Sequence, residues 1–150
     1  MLTFSIRGEP DNFLKVTIIN VSGFPDTTSP FGGYDTESTV EIKSSNFSIK
    51  VSLWVTTGNI YDFYQELKKC QDKLSGQASF RSYENNLIFN VNYDSLGHAY
   101  ISGEYSEYND VNNTLKFGFH TDQTFIKESV DELWKIYFKY GDNFGLKKNN

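Results

Sequence analysis

Alternating apolar and polar positions in the first third of the chain predict β-strands. Residues 2–6 alternate over a short run, and residues 13–21 form a longer run that is rich in β-branched side chains. After a loop over residues 23–33, the alternation resumes at residues 38–43 and again at 47–55. This last run predicts an antiparallel strand with one buried face. Its apolar positions are Phe47, Ile49, Val51, Leu53 and Val55, and the positions between them are Ser48, Lys50, Ser52 and Trp54.

The period of the pattern changes to that of a helix in two places. Between residues 60 and 74, apolar residues recur at i, i+3, i+4 and i+7, and Asn59 is the predicted N-cap. A second helix is predicted from residue 125 onward, where Asp122 can cap its start and Gly141 can end it. The predicted apolar stripe of this second helix consists of Phe125, Ile126, Val130, Leu133, Trp134, Tyr137 and Phe138.

Four more strand patterns lie between the two predicted helices, and turn residues separate the first three of them. The order is therefore strands, helix, strands, helix, with short connections between consecutive strands. This order predicts an α+β fold, in which antiparallel meanders of about eight strands carry two helices packed on the sheet. The four patterns cover residues 77–83, 87–93, 98–108 and 115–119.

Length and composition favour one folded domain over residues 1–150. The chain has 150 residues, 17% of them aromatic and 22% charged, so it has ample core material and no bias towards disorder. Residues 141–150 are predicted to be a frayed tail. The strand before the long loop and the strand ending near Tyr108 are predicted sheet edges, so a monomer and an edge-strand homodimer both remain open.

The net charge of −5 bears on the class of partner. Nucleic acids and anionic membranes attract clustered Lys and Arg, so we expect neither to be the main partner. The first residues lack a basic region followed by an apolar run, and no stretch approaches the roughly 20 apolar residues of a membrane span. We therefore expect a cytoplasmic location.

Few residues have the spacing of a catalytic or metal site. His98 and His120 are predicted on the outward faces of their strands, and two histidines alone are too few for zinc. Cys70 falls on the apolar stripe of the first helix, where a free cysteine behaves as a small hydrophobe. The chain has no phosphate-binding loop and no nucleophile elbow. We therefore expect no enzyme activity, no metal and no cofactor, and a function in binding.

Three motifs in the second half are more specific than this general pattern. The first, Leu74-Ser75-Gly76-Gln77-Ala78-Ser79-Phe80, ends a helix and begins a strand. The second, G-H-x-x-[IV]-x-G, covers residues 97–103, and the third, L-x-F-x-F-x-T-D-Q-[ST]-[FY], covers residues 115–125. In order and spacing these motifs resemble the WapI family of bacterial immunity proteins. The resemblance covers residues 45–140 and is most specific at Thr121-Asp122-Gln123.

The resemblance implies an immunity protein encoded beside a large cell-surface polymorphic toxin of the WapA/Rhs type. Such a protein binds the C-terminal toxin domain inside the producing cell, and in the namesake system that domain is a tRNA-cleaving nuclease. The shared motifs imply structural roles. Leu74, Phe80, Phe117 and Phe119 are expected in the core, and Asp122 is expected to cap a helix.

An inhibitor of a nuclease can oppose acidic groups to the basic groove that binds the nuclease's substrate. The alternatives are a non-enzymatic accessory domain that binds another partner, and a module that binds carbohydrate or a small ligand through an exposed aromatic face around Tyr100, Tyr105 and Tyr108. The predicted partner-binding residues are Asp35, Glu37, Glu104, Tyr105, Glu107, Tyr108 and Asp110.

Overall fold

The computed structural model describes residues 1–108 and 112–148, and only the backbone of Tyr108. Within these residues, two four-stranded antiparallel meanders are each followed by a helix, which confirms the predicted α+β order. The sequence predicted that both helices pack on one sheet, whereas the described strands form two separate sheets. The elements are β1 (Thr3–Gly8), β2 (Asn12–Ser22), β3 (Asp35–Ser44), β4 (Phe47–Thr56), α1 (Thr57–Lys73), β5 (Gln77–Arg81), β6 (Leu87–Tyr93), β7 (His98–Tyr108), β8 (Asn112–Asp122) and α2 (Gln123–Tyr140).

Both sheets direct their apolar faces towards one shared core. The ring of Phe63 on α1 joins the two sheets. Its centroid lies 6.0 Å from the ring centroid of Phe4 on β1 and 5.1 Å from that of Phe89 on β6. Phe80 on β5 completes this aromatic cluster, stacked on Phe89 at 4.9 Å. Each of these rings removes a large apolar area from water, and this burial stabilises the packing of the two sheets on α1.

The helices cover sheet edges. The hydroxyl of Ser129 on α2 donates to the backbone carbonyl of Ser5, and the backbone N–H of Ser5 donates to Glu132 Oε1 at 3.1 Å. α2 thereby satisfies backbone groups on the edge of β1, while α1 packs against β5. The strand before the long loop, β2, and the strand ending near Tyr108, β7, were predicted to be sheet edges. This prediction is wrong, because β2 lies between β1 and β3 and β7 lies between β6 and β8. Neither helix of the described chain is long and apolar enough to cross a bilayer.

The ends of the helices agree with the prediction in part. Asp122 caps α2, accepting a bond from the backbone N–H of Phe125 at 3.0 Å, and Gly141 ends that helix, both as predicted. The N-cap of α1 is Thr56, and Asn59 is instead the third helical residue, whose side chain accepts from the N–H of Thr56 in a capping box. The prediction of Asn59 as the N-cap was therefore wrong.

Two predictions of buried side chains are also wrong. Leu74 adopts a left-handed conformation at the end of α1 and is 40% exposed, whereas Phe80, Phe117 and Phe119 are buried as expected. On α2 the buried face is rotated from the predicted stripe, so that the stacked rings of Trp134 and Phe138 face solvent. The residues that α2 buries are Ile126, Ser129, Leu133, Ile136 and Tyr140.

Candidate functional site

An open groove lies between β4 of the first sheet and β7 of the second, and we call it the β4 groove. It consists of two hollows of about 400 Å³ and about 410 Å³, with the side chain of Tyr105 lining both. The first hollow is lined by Val51, Ser52, Trp54, Glu84, Asn86, Tyr105 and Glu107. The second is lined by Phe47, Ile49, Val51, Tyr105, Glu107, Asn112, Asn113, Thr114 and Leu115.

Tyr105 connects the two sheets across this groove. Its hydroxyl donates to the backbone carbonyl of Ser52 on β4 at 3.4 Å, and only 9% of the residue is exposed. Burial raises the pKa of the Tyr105 phenol, and the negative charge of Glu107 raises it further, so the phenol stays a neutral donor. Tyr105 was predicted to bind a partner from an exposed face of β7. The predicted exposure is wrong, because the ring points inward on the same face as Ile101, where it lines both hollows.

Trp54 is a large exposed residue in the lining of the first hollow. It is 53% exposed and lies opposite Glu37 in the register of β3 and β4. Ser44 and Phe47 flank a two-residue turn and therefore form a hydrogen-bonded pair, so by alternation Glu37 and Trp54 form a non-hydrogen-bonded pair. Side chains in such pairs lie closest together. Glu37 is also held by the side-chain amide of Asn20, at 3.3 Å.

Further carboxylates lie close to Trp54. Glu84 and Glu107 line the same hollow, and no Lys or Arg is among the described residues that line it. Asp35 lies two residues before Glu37 on β3, opposite Thr56 of β4. Burial raises the pKa of the Tyr83 phenol, and the negative charges of Glu84 and Asp35 raise it further. We define the Trp54 surface as Trp54 with these carboxylates, namely Asp35, Glu37, Glu84 and Glu107.

The predicted acidic surface is therefore divided. Asp35, Glu37 and Glu107 lie around β4, whereas Glu104 lies on the opposite face of β7, across from Lys116 on β8. The side chain of Tyr108 and all of Asp110 lie outside the described residues.

Two members of the surface were absent from the prediction. Trp54 had a readable signal, since a Trp on the otherwise polar face of β4 is typical of an interface anchor. Glu84 lies in the turn between β5 and β6, and no periodic pattern marks it.

The remaining reactive side chains have ordinary surroundings. His98 pairs with Asp94 at 3.5 Å, and the ring of His120 packs on the edge of Tyr100 at 5.0 Å. In the part of the chain that the structure describes, no group of three or more His, Cys, Asp or Glu is placed to hold a metal ion. Cys70 is buried as predicted, and this burial raises the pKa of its thiol.

An aromatic binding face on β7 does not form from its described tyrosines. Tyr100 is 40% exposed and lies on the outer face of the strand, whereas Tyr105 lies on the inner face. Tyr100 instead contacts the ring of His120 on β8. These two tyrosines therefore do not share a surface on which a sugar ring could stack.

Comparison with known proteins identifies a family. The model of the immunity protein WapI-like family matches residues 5–141 of this chain, which adds the first sheet to the motifs of the second half. No curated protein and no solved structure matches the chain significantly. Because the family model spans nearly the whole chain, the chain belongs to the WapI-like immunity protein family.

Proposed function

We propose that this chain neutralises a cognate bacterial toxin domain by binding it directly through the Trp54 surface, in the cytoplasm of the producing cell. The observation that carries the proposal is the exposed Trp54 beside Glu37, Glu84 and Glu107. Trp residues are enriched among the few residues that dominate binding energy at interfaces. The backbone of Trp54 is held in β4, so little backbone entropy is lost when this residue binds.

The charge of this surface favours a basic partner. Carboxylates that oppose a basic patch accelerate association and exclude wrong partners. A toxin domain that cleaves tRNA needs a basic groove for the phosphate backbone of its substrate. We therefore propose a tRNA-cleaving nuclease as the target, with the Trp54 surface occupying or bordering its substrate groove.

Inhibition by binding requires no catalytic group in this chain. The positions of the reactive side chains support a binding function, because Cys70 is buried with a raised pKa and His98 pairs with Asp94 at the surface. A nucleophile needs an adjacent base and access to substrate.

Co-expression tests the proposal in cells. The C-terminal toxin domain encoded beside this chain's gene would be induced with and without the chain, and growth and the integrity of cellular tRNA would be followed. We expect growth arrest with cleaved tRNA for the toxin alone, and growth with intact tRNA when the chain is present. Arrest despite abundant, folded chain would contradict the immunity function, whereas rescue from a toxin that leaves tRNA intact would contradict only the nuclease target.

A further inference from the structure

The edge of β4 presents backbone groups to the groove. Because Ser44 and Phe47 form a hydrogen-bonded pair, the N–H and C=O groups of Ser48 and Lys50 point away from β3. The same alternation directs the carbonyl of Ser52 outward, and that carbonyl accepts the hydroxyl of Tyr105. Among residues 1–108 and 112–148, no group bonds to the outward backbone of Ser48 or Lys50. The part of the edge without a described partner therefore lies on the N-terminal side of Tyr105, over residues 47–51.

Apolar side chains line this open part on its groove side. Phe47 is 66% exposed, Ile49 and Val51 are half-buried, and Leu115 of β8 lines the same hollow. Free backbone groups beside a row of alternate apolar side chains form the arrangement that accepts an added strand. Such an arrangement supplies main-chain hydrogen bonds along the edge and contacts for every second side chain of the incoming segment.

Other elements contact the edge strands β1, β5 and β8. α2 bonds to the backbone of Ser5 on β1, and α1 packs against β5. On β8, the carbonyl of Gly118 accepts the hydroxyl of Ser44 at 3.0 Å. Natural sheets protect their edges in these ways against unwanted pairing. Lys50 is the charged residue on the open part of β4, and it pairs with Glu41 on the outer face at 3.9 Å.

We infer that β4 accepts an extended segment of the toxin domain as an additional strand over Phe47–Val51. This inference rests on the proposed function and adds the mode of binding. The charge of the groove specifies the segment, because Glu107 lines both hollows and no Lys or Arg is among the described residues that line them. The segment carries alternate apolar side chains that contact Ile49 and Val51, and a Lys or Arg that reaches Glu107.

Hydrogen exchange on the wild-type complex tests the added strand directly. The probe is the toxin domain that is encoded beside this chain's gene, inactivated by substitution of its own catalytic residue. We expect the backbone amides of Ser48 and Lys50 to exchange more slowly in the complex than in the free chain. A complex in which these amides exchange as in the free chain would overturn the added strand and leave the proposed function standing. Absence of any complex would overturn both.

A pair of substitutions at one position provides a second test. Lys50→Pro removes the N–H that points outward, at an edge site where proline is tolerated, whereas Lys50→Val retains it. We expect Lys50→Pro to weaken binding by at least about tenfold more than Lys50→Val, because a buried acceptor on the toxin segment loses its donor. Equal affinities of two folded variants would overturn the inference.

A second copy of this chain is the competing occupant of the β4 edge. Sedimentation of the free chain over a range of concentrations distinguishes it from the toxin segment. We expect a monomer at every concentration, with Ser48 and Lys50 protected only when the toxin domain is present. A dimer that protects these amides in the free chain would overturn the assignment of the edge to the toxin.

Discussion

Trp54 lies opposite Glu37 across β3 and β4, in a pair whose backbones do not bond to each other, so the indole and the carboxylate share one face. Because Trp54 is 53% exposed, its ring contributes little to the core and is available to a partner. The relationship places an apolar anchor and a negative charge side by side at the edge of the first sheet.

Replacement of Trp54 tests the anchor. Trp54→Ala is expected to weaken binding of the toxin domain by about 2 kcal/mol or more, which is roughly thirtyfold, as for a central interface Trp. The matched control is Trp134→Ala on α2, which removes an indole of similar exposure, 47%, from a helix that packs on the opposite edge of the first sheet. Calorimetric titration measures both affinities, and an equal loss in the two variants would exclude a special role for Trp54.

Charge reversal tests the electrostatic part of the account. The double variant Glu84→Lys/Glu107→Lys is expected to reduce the association rate by about tenfold or more at low salt, with a smaller reduction at high salt. Glu104→Lys, on the other face of β7, is expected to change the rate much less. Stopped-flow kinetics at several salt concentrations makes the comparison. A larger effect of Glu104 than of Glu84 and Glu107 would move the interface to the outer face of the second sheet.

The contact of Glu132 with the edge of β1 predicts a pH effect on stability. Burial raises the pKa of Glu132 above its ordinary value of 4.5, against the opposing effects of the Ser5 N–H and of Arg7. The folded chain therefore disfavours the carboxylate form, and its stability contribution falls as the pH rises from 4.5 through the raised folded pKa.

The variant Glu132→Gln stays neutral and retains an oxygen that accepts from Ser5. It is expected to be more stable than the wild type above this pH window and equally stable below it. Urea unfolding at a series of pH values measures the difference. A stability difference that does not change with pH would contradict the assignment.

Two substitutions in the Thr-Asp-Gln segment are expected to have opposite effects. Asp122→Ala removes the cap of α2 and should cost about 1 kcal/mol. The hydroxyl of Thr121 is buried and has no hydrogen-bond partner in the described chain. Thr121→Val removes this group at nearly constant shape and should stabilise the fold by about 1 kcal/mol. Thermal and urea unfolding measure both, and destabilisation by Thr121→Val would indicate a bond that this account lacks.

The sequence predicted the elements well because each of them has a local signal. Alternation at Phe47, Ile49 and Val51 marks β4, and the spacing of Phe63 and Leu67 marks α1. The division into two sheets has no such signal, since two meanders in one sheet or in two have the same local pattern. The groove between β4 and β7 depends on how the sheets pack, and this packing brings Glu107 to the same hollow as Trp54.

The predicted binding residues illustrate the same limit. Charge and local sequence grouped Glu104 with Glu107, but the alternation of β7 separates them, because residues three apart on a strand face opposite sides. The same alternation places Tyr105 inward and Glu107 in the groove. The two-residue period of a strand therefore separates Glu104 from Glu107, and this separation can be read from the sequence of β7 alone.

We propose that this chain neutralises a toxin domain by binding it through the Trp54 surface. Titration of the purified toxin domain's activity with purified chain tests this claim most directly. We expect activity to reach baseline at one chain per toxin domain, with a dissociation constant of about 10 nM or below. The combined variant Trp54→Ala/Glu84→Lys/Glu107→Lys is expected to require at least about a hundredfold more protein. Full toxin activity in excess wild-type chain, or equal inhibition by the folded combined variant, would contradict the claim.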